Sequence, residues 1–319
     1  MRSTMDWLSQ LLRIISVTGE LEIRCRYGAP WRISYEQSGV GEIPYHVVLK
    51  GSATLEDPDN GPPRQLKAGD IVLLSHGSAH LLHDGTGLPP SPASTRESAN
   101  FTVSENAGTG EQLDMLCGRF LINTPHDRLI RDYLPATLVV RATRSKPDRH
   151  SPSTAEDQLM GLVQLMRFEA SEDRLGGFAM LNTFSSALFA LTLRAASESH
   201  QAPRGLLSLA ANPRLAPAIS AMLNDPAKSW TLPDLAQCCN MSRATFMRHF
   251  EAMLGRSAHD FLTDVRMSLA ANAFRDPSIS TESIAELAGY QSIAAFRRTF
   301  TQRMGVTPGA WRRVARQSD

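Results

Sequence analysis

The residues best suited to chemistry in this sequence are its four cysteines, Cys25, Cys117, Cys238 and Cys239. They lack both the Cys-x-x-Cys spacing and the paired downstream histidines that are typical of a structural zinc site. Structural disulfides are also unexpected in a reducing compartment, so any functional thiol would act in redox sensing. We expect Cys239 in a helical core and no role for Cys238.

Cys25 and Cys117 form the candidate redox-sensing pair. Each lies near arginine, in the segments 23–26 and 116–119. A neighbouring cation lowers the pKa of a thiol and so increases the reactive thiolate fraction. The sequence leaves open whether the two can join in a disulfide, which requires Cα atoms within about 7 Å. The alternative is a pair of buried, inert cysteines.

Two histidines, His46 and His80, form a candidate ligand or metal site. Short apolar runs separated by Gly, Pro and Asp between residues 19 and 82 predict antiparallel strands of a barrel or sandwich. Strand alternation allows both imidazoles to point into the same barrel. A stable metal site usually needs a third ligand, and the residues available for it are Asp84, His76 and His83. The alternative is a pocket-lining or hydrogen-bonded core role.

A repeat near the C-terminus is the strongest functional signal. The segment Arg248-His249-Phe250 with Gly255 recurs as Arg298-Thr299-Phe300 with Gly305, an offset of 50 residues. We pair Leu235-Ala236 with Leu287-Ala288, an offset of 52. A repeat of this length indicates that one supersecondary unit occurs twice.

Each copy has the pattern of a helix-turn-helix. In the first copy Thr231 can cap one helix, Asn240-Met241 makes the turn, and Ser242 caps a second helix to about Met253. In the second copy Ser283 lies near the start of the first helix. Gly289-Tyr290 then makes the turn, and Ser292 caps a helix that runs through Arg303. A long helix, about 258–274, joins the copies.

The second helix of each copy separates into an inner and an outer face. Phe246 and Phe250, and likewise Phe296 and Phe300, are spaced four apart and should point inward. The first turns of such helices read base edges in the major groove, where Arg is the most frequent reader of guanine, and their N-termini suit phosphate. The predicted DNA-binding residues are Ser242, Arg243, Ala244, Met247, Arg248, Ser292, Ile293, Ala294, Arg297 and Arg298.

Other segments indicate how the chain is organised. Residues 84–110 lack periodicity and predict a long, mobile loop. Residues 113–122 predict a strand, and residues 1–15 a short amphipathic helix packed on the first domain. Apolar residues recur at helical spacing in 159–166 and 178–196, which predicts core packing or a subunit interface. We expect a sensor and dimerisation domain over 1–198, a linker over 199–212 and a DNA-binding domain over 213–319.

Charge is distributed unevenly along the chain. The net charge is only +1, but from Lys228 onward the balance is +4 and before it −3. Such asymmetry indicates a nucleic-acid partner for the C-terminal part. The sequence has no signal-peptide pattern and no run that approaches the ~20 apolar residues of a membrane span. We expect a cytoplasmic protein with no membrane partner.

Residues 206–316 resemble the AraC/XylS family of transcription regulators. The most specific match is the segment 289–292 with 296–300 and 305–312, where Trp311 replaces the usual Tyr. The resemblance implies two helix-turn-helix units that enter successive major-groove segments of promoter DNA, with RNA polymerase as a further partner. Homodimerisation through the helices between residues 155 and 196 would match two DNA half-sites.

The N-terminal part resembles the cupin-like sensor of one AraC branch, through segments 45–51 and 68–80. Ser75 replaces the usual Pro, and the first segment lacks the metal-binding His-x-His. The resemblance implies an α+β protein with an N-terminal cupin-like β-barrel, flanking helices and a C-terminal all-α domain. The positions of Cys25 and Cys117 are similar to a branch that responds to reactive chlorine and related oxidants.

Two classes of function are compatible with these observations. The first is a DNA-binding transcriptional regulator whose sensor responds to an oxidant or a small ligand. The second is a cupin-type metalloenzyme with an appended nucleic-acid-binding module. The sequence has no Ser/His/Asp layout, P-loop or dinucleotide fingerprint, so we expect no enzymatic activity and no cofactor.

Overall fold

The computed structural model describes residues 5–57, 61–142, 154–199 and 201–315, which form two compact units. The sheet unit comprises Val17–Asn123 and Pro135–Pro203, and the helical unit comprises Met1–Ser16, Thr124–Leu134 and Arg204–Asp319. The sequence assigned all of 1–198 to the sensor. The structure instead places the described residues 5–16 and the segment 124–134 in the helical unit, because they pack on its helices. Residues 1–4 of the predicted N-terminal helix and residue 200 of the predicted linker lie outside the described residues.

The sheet unit contains two sheets. The larger sheet has the strand order β11-β6-β3-β10-β1-β9-β8, and the smaller has the order β2-β7-β4-β5. The strands are β1 (Val17–Gly28), β2 (Arg32–Tyr35), β3 (Glu42–Lys50), β4 (Ser52–Glu56), β5 (Arg64–Lys67), β6 (Asp70–Leu74), β7 (His80–His83), β8 (Ala93–Glu97), β9 (Thr102–Asn106), β10 (Gln112–Ile122) and β11 (Thr137–Arg141).

The centre of the larger sheet is the antiparallel pair β1 and β10. The two strands are paired from Val17 opposite Ile122 to Gly28 opposite Gln112, with one irregularity between Leu21 and Ile23. Their inward side chains join those of the smaller sheet in one apolar core. This core contains Cys25, Tyr27, Trp31, Val48, Ala53, Leu55, Leu66, Val72, Leu74, Leu82, Leu113, Met115 and Cys117. The predicted cupin-like barrel is therefore confirmed.

Two helices, α3 (Ala155–Glu169) and α4 (Gly177–Glu198), belong to the same unit, and α4 packs on β1. Gly19 allows the close approach, because a Cβ there would lie 2.5 Å from the backbone of Ser185. The amide of Gly19 donates to the Ser186 hydroxyl at 2.9 Å, and the hydroxyls of Tyr45 and Ser185 hydrogen-bond at 2.7 Å. Of the apolar residues predicted on these helices, Leu159, Leu162, Val163, Met166, Leu181 and Leu188 are buried, whereas Phe184 and Leu191 are half-buried.

Two expectations for the sheet unit need correction. Residues 84–110, predicted as a loop, contain β8 and β9, which extend the edge of the larger sheet beyond β1. Every residue of β8 is exposed, so no apolar alternation marks the strand in the sequence. In addition, α4 has the length and apolar composition of a membrane span. The core helix of a soluble domain has the same properties, and α4 lies against the sheet.

The helical unit is built from helices contributed by three parts of the chain. They are α1 (Trp7–Ile15), α2 (Asp127–Tyr133), α5 (Leu206–Ala211), α6 (Ala216–Asn224), α7 (Leu232–Cys238), α8 (Arg243–Leu254), α9 (Ala258–Ala273), α10 (Thr281–Leu287), α11 (Ile293–Met304) and α12 (Pro308–Ala315). The helices α7 and α8 form one helix-turn-helix, α10 and α11 form the second, and α9 connects them. The predicted bounds of α8, α9 and α11 are confirmed to within one residue.

The pairing of the two copies differs from the predicted one in the first helix. Met241 donates its amide to the Ala236 carbonyl, and Tyr290 donates in the same way to Ala285. The counterpart of Leu235-Ala236 is therefore Ile284-Ala285, at an offset of 49, and not Leu287-Ala288. Leu287 is 58% exposed, whereas Ile284 is buried. The second copy has one more residue in its turn, which restores the offset of 50 in α11.

The segment before α2 contributes a buried histidine to the helical unit. His126 is 1% exposed, and its Nε2 lies 2.7 Å from Oδ1 of Asn272. Asn272 donates its Nδ2 to the Ile14 carbonyl, so its Oδ1 accepts and His126 donates. Nδ1 of His126 has no partner among the described residues. Burial lowers the pKa of His126 to about 4.

This shift predicts an acid-sensitive fold. The folded-state pKa of about 4 lies below the ordinary 6.5, so the unfolded chain takes up the proton first and stability falls as the pH drops from about 6.5 towards 4. We expect His126→Gln to remove about 2 kcal/mol of the stability loss between pH 7 and pH 5, measured by chemical denaturation. The exposed His249→Gln is the control. An identical pH dependence in His126→Gln and wild type would contradict the assignment.

Candidate DNA-binding face and sensor core

The second helix of each helix-turn-helix begins at the predicted serine cap. The hydroxyl of Ser242 accepts from the Thr245 amide at 3.3 Å, and that of Ser292 accepts from the Ala295 amide at 3.3 Å. Thr231 caps α7 as predicted. Its hydroxyl accepts from the Asp234 amide, and the Asp234 carboxylate accepts from the Thr231 amide. Ser283 lies near the start of α10, as predicted, and its amide donates to the hydroxyl of the cap residue, Ser280.

The turns between the helices use backbone conformations that few residues adopt. Asn240 has a φ of +50° and Gly289 a φ of +78°. Asn tolerates the left-handed region better than most residues, and Gly adopts it without cost. At Gly289 there is also no space for a side chain, because a Cβ would lie 2.4 Å from the Ala227 carbonyl.

The inward and outward faces of α8 and α11 are as predicted. Phe246, Phe250, Phe296 and Phe300 are each fully buried. Ring centroids lie 5.4 Å apart in the first pair and 5.6 Å apart in the second. The predicted DNA-binding residues are exposed, except that Met247 and Ile293 are half-buried. Both recognition helices therefore have an aromatic anchor on one side and an available polar surface on the other.

Three exposed arginines on this surface, Arg243, Arg248 and Arg298, form no ion pair with any described residue. Arg297 lies 3.8 Å from the Glu282 carboxylate, but both side chains are more than half exposed. Exposed pairs of this kind contribute little, so Arg297 is available to another anion. The face as a whole is suited to a polyanion such as the phosphate backbone of DNA.

The two candidate histidines meet inside the sheet unit. Nε2 of His46 lies 2.8 Å from Nε2 of His80, and both residues are buried. Burial lowers the pKa of each, so both are neutral near pH 7. Nδ1 of His80 donates to the Ser78 carbonyl at 2.9 Å. Nε2 of His80 is therefore the acceptor, and Nε2 of His46 donates to it.

Tyr35 connects the histidines to Cys117, a role that the sequence analysis did not predict. Its ring stacks on His80 with centroids 4.6 Å apart and lies 4.9 Å from His46. Its hydroxyl donates to Sγ of Cys117 at 3.5 Å. Tyr35 lies opposite His80 in the register of β2 and β7. That pairing of non-adjacent strands is the only signal that could have identified it.

Cys25 and Cys117 are in contact in the core. Cys25 lies opposite Met115 and Cys117 opposite Ile23, which makes the two cysteines diagonal neighbours on one face of the sheet. Burial, followed by the influence of the neighbouring Cys25, raises the pKa of the Cys117 thiol well above its ordinary value. The residues are 1% and 3% exposed. The sequence left this proximity open.

The expected lowering of the thiol pKa by arginine is wrong for Cys117. Arg24 alternates to the opposite face of β1, where it pairs with Asp114 at 2.7 Å and donates to the Ala170 carbonyl. Arg119 pairs with carboxylates, the nearest being Glu22 at 2.7 Å. Because carboxylates and a carbonyl hold these cations, desolvation determines the pKa of Cys117 instead.

The described residues offer no third ligand for a metal at the histidine pair. Asp84 accepts from the Trp31 amide at 2.6 Å, and His83 lies 3.1 Å from the Glu56 carboxylate. His76, the remaining predicted ligand, has a buried Nε2 without a partner among the described residues. The structure therefore favours the hydrogen-bonded core role of His46 and His80 over metal binding.

Two cavities open beside the smaller sheet, with volumes of about 290 and 500 Å³. Both are lined by Trp31, Asp84 and Leu88, and neither is lined by His46 or His80. A small molecule in either of these cavities would thus contact residues other than the histidine pair.

Comparison with known protein families gives two matches. Residues 6–198 match the cupin family, and residues 235–314 match a helix-turn-helix domain. The cupin match covers more than half of the chain and includes α1 and α2, which belong to the helical unit.

The chain is also similar to characterised regulators over nearly its whole length. It is 27% identical to the HTH-type transcriptional regulator MtrA of Neisseria gonorrhoeae, over 98% of this chain and 100% of MtrA. It is 28% identical to the RCS-specific HTH-type transcriptional activator RclR of Escherichia coli K12, over 98% of this chain and 99% of RclR. The crystal structure of ToxT from Vibrio cholerae matches with a TM-score of 0.36 and 13% identity, over 94% of this chain and 98% of ToxT.

Proposed function

This chain belongs to the cupin-containing AraC family of DNA-binding transcriptional regulators, and we propose that its cupin domain senses an oxidant through Cys25 and Cys117. The observation that carries the proposal is that the two buried cysteines are diagonal neighbours on adjacent strands, within one core. The similarity to RclR, which is named as an RCS-specific activator, supports it. The wild-type response to oxidant in a reporter assay is the direct test.

The sensing reaction is a two-electron oxidation. Two thiols lose two protons and two electrons and form one S–S bond, while hypochlorous acid is reduced to chloride and water. Oxidation of one thiol to a sulfenic acid, followed by attack of the other, is the route by which such pairs close. The alternative sensor ligand is a small molecule in the cavities beside Trp31.

The environment of the thiols selects the kind of oxidant. The raised pKa of Cys117 keeps it a protonated, weakly nucleophilic thiol. Weak oxidants that require a thiolate should therefore react slowly. A small, uncharged and strongly reactive oxidant such as hypochlorous acid can enter the apolar core and react. The Tyr35 hydroxyl, which donates to Cys117, stabilises the developing thiolate.

The recognition helices α8 and α11 are proposed to read promoter DNA from successive segments of the major groove. Arg243, Arg248, Arg297 and Arg298 would contact bases or phosphates, and the capped N-termini of both helices would contact phosphate. The exposed, largely unpaired state of these arginines supports this assignment. RNA polymerase would be the further partner of the promoter-bound regulator.

Homodimerisation is proposed through the tip of the α3–α4 hairpin. The predicted stripes are mostly buried, but a different set of large apolar residues is exposed around the tip: Leu165, Phe168, Leu175, Phe178 and Met180. Exposed large apolar side chains grouped near one hairpin tip are typical of an interface. A second copy would cover it and place two DNA-binding units on two half-sites.

We further propose that the protein acts in the cytoplasm and has no enzymatic activity. Its relatives are named as transcriptional regulators. The metalloenzyme alternative requires a complete ligand set. Stoichiometric iron or manganese in the purified protein would support the metalloenzyme alternative.

The DNA-contact proposal predicts a loss of affinity without a loss of fold. Arg248→Ala or Arg298→Ala should weaken specific operator binding by about 1–3 kcal/mol, because a base-reading arginine contributes that much discrimination. Binding is measured by fluorescence anisotropy at fixed salt, with the exposed Arg214→Ala as control. Wild-type operator affinity in both variants would remove these residues from the readout.

The sensing proposal predicts that either thiol is indispensable. Cys25→Ser and Cys117→Ser should each abolish the transcriptional response to hypochlorous acid, because one thiol cannot close the bridge. Cys238→Ser, outside the pair, should respond as wild type does. Mass spectrometry of alkylated protein reports the bridge directly. If both sensor variants keep the full response, the thiol switch is wrong and the cavities beside Trp31 become the better candidate.

The dimer proposal predicts that charge at the hairpin tip dissociates the protein. Phe168→Asp or Phe178→Asp should convert a dimer to a monomer in sedimentation experiments at micromolar concentration, because a carboxylate is costly to bury at an apolar interface. Arg194→Asp, exposed farther along α4, is the matched control. A wild-type protein that sediments only as a monomer, with and without DNA, counts against the interface.

A further inference from the structure

The two strands that carry the sensor cysteines continue directly into two elements of the helical unit. Only Ser16 separates α1 from β1, which carries Cys25, and residues 123–126 separate β10, which carries Cys117, from α2. The two strand ends involved are neighbours, because Val17 lies opposite Ile122. The chain therefore connects the ends of the β1–β10 pair directly to α1 and α2.

One residue of the connecting helix α9 holds both of these elements. Nδ2 of Asn272 donates to the Ile14 carbonyl at 2.9 Å, and Oδ1 of Asn272 accepts from His126 at 2.7 Å. The carbonyls in the last turn of a helix lack intrahelical partners, and Asn272 provides one at the end of α1. His126 directly precedes α2. Both bonds therefore lie at the points where the chain enters or leaves the sheet unit.

The far end of α2 is held to the ends of both recognition helices. The Tyr133 hydroxyl donates to Asp264 of α9 at 2.5 Å. Asp264 also lies 3.7 Å from Arg256, which follows α8, and 3.2 Å from Arg303 in the last turn of α11. Arg256 pairs with Asp132 at 3.0 Å. Through Asp264, the position of α2 is linked to the C-terminal ends of α8 and α11.

We propose that Asn272 is a positioning residue that couples the state of the β1–β10 pair to the orientation of the two recognition helices. The proposal rests on the thiol switch for the signal that changes the β1–β10 pair. The coupling itself depends only on the hydrogen bonds of Asn272 with Ile14 and His126. Both recognition helices must fit one DNA duplex together, so a small change in their relative orientation changes operator affinity. Asn272 touches neither the thiols nor the recognition faces.

The thiol chemistry provides a reason for the strands to move. Diagonal neighbours in an antiparallel pair have Cα atoms about 7–8 Å apart, whereas a disulfide requires about 7 Å or less. Closing the Cys25–Cys117 bridge therefore shifts β1 against β10. The same shift displaces their ends at Val17 and Ile122, which lead to the two groups bound by Asn272.

The helical unit contains a matched control, Asn224. Its Oδ1 accepts from Gln10 at 2.9 Å, and its Nδ2 donates to the Met5 carbonyl at 3.0 Å. Asn224 thus fastens the start of α1, far along the helix from Ser16, and does not touch the segment of His126. Replacement by leucine removes the hydrogen bonds of either asparagine while preserving the branching of the side chain at Cγ.

The first experiment needs no oxidant. Hydrogen exchange of the full-length reduced protein compares wild type, Asn272→Leu and Asn224→Leu. Coupling is reciprocal, so Asn272→Leu should accelerate exchange about fivefold at both strand ends, residues 17–19 and 120–122. Asn224→Leu should leave these rates at the wild-type values. Wild-type rates in Asn272→Leu, or equal acceleration in both variants, would overturn the coupling.

The second experiment compares operator Kd before and after hypochlorous acid, with the bridge verified by mass spectrometry. In wild type and Asn224→Leu, operator Kd should differ about tenfold between the reduced and the oxidised protein. In Asn272→Leu the two Kd values should agree to within about twofold. A wild-type difference between the two Kd values in Asn272→Leu overturns the coupling and leaves the thiol switch standing. No change in wild type, together with accelerated exchange in Asn272→Leu, overturns the thiol switch and supports the coupling.

Discussion

The antiparallel pairing of β1 with β10 is the constraint on which the rest of the structure depends. Twelve-residue β1 and eleven-residue β10 form the centre of the larger sheet. Their register brings Cys25 beside Cys117, although 92 positions separate them in the chain. A shift of one residue would move every side chain of one strand to the opposite face. The cysteines would then lie on different faces, and the proposed sensor would not exist.

The interior of the sheet unit holds a continuous polar cluster of Cys25, Cys117, Tyr35, His46 and His80. Burial of polar groups is costly unless they hydrogen-bond to one another. Here the Tyr35 hydroxyl donates to Cys117, the Tyr35 ring stacks on His80, and His46 donates to His80. Desolvation keeps the histidines neutral and Cys117 protonated. His46, His80 and Cys117 are consequently uncharged near pH 7. Oxidation of the thiols would be the largest chemical change of the cluster.

The two helix-turn-helix units share one plan but are not equivalent. Both have a serine cap, a paired-phenylalanine anchor and a glycine at the end of the recognition helix with φ near +75°. The second unit has a longer turn. Its Leu287, which the sequence analysis paired with the buried Leu235, is exposed. The ends of both recognition helices converge on Asp264 of α9. Through this shared acid, α2 is linked to the ends of both recognition helices.

The sequence alone determined the features that follow from short-range rules. Serine caps, the four-residue spacing of phenylalanines and the exposed arginines of α8 and α11 depend on neighbours within a turn or two of helix. The strands β3, β4, β6 and β10 were predicted from local apolar runs for the same reason. The two-domain α+β architecture and the DNA-binding function followed from these elements and from the family resemblance.

Only the tertiary structure decided the arrangements that depend on register or on distant packing. The pKa of Cys117 could not be inferred from adjacent arginines, because strand alternation turns Arg24 away and desolvation then dominates. The positions of Tyr35, Asn272 and Asp264 depend on partners 82, 146 and 131 residues away. The assignment of α1 and α2 to the helical unit has the same origin. The apolar periodicity of a helix indicates that one face is buried, but it does not specify which surface covers that face.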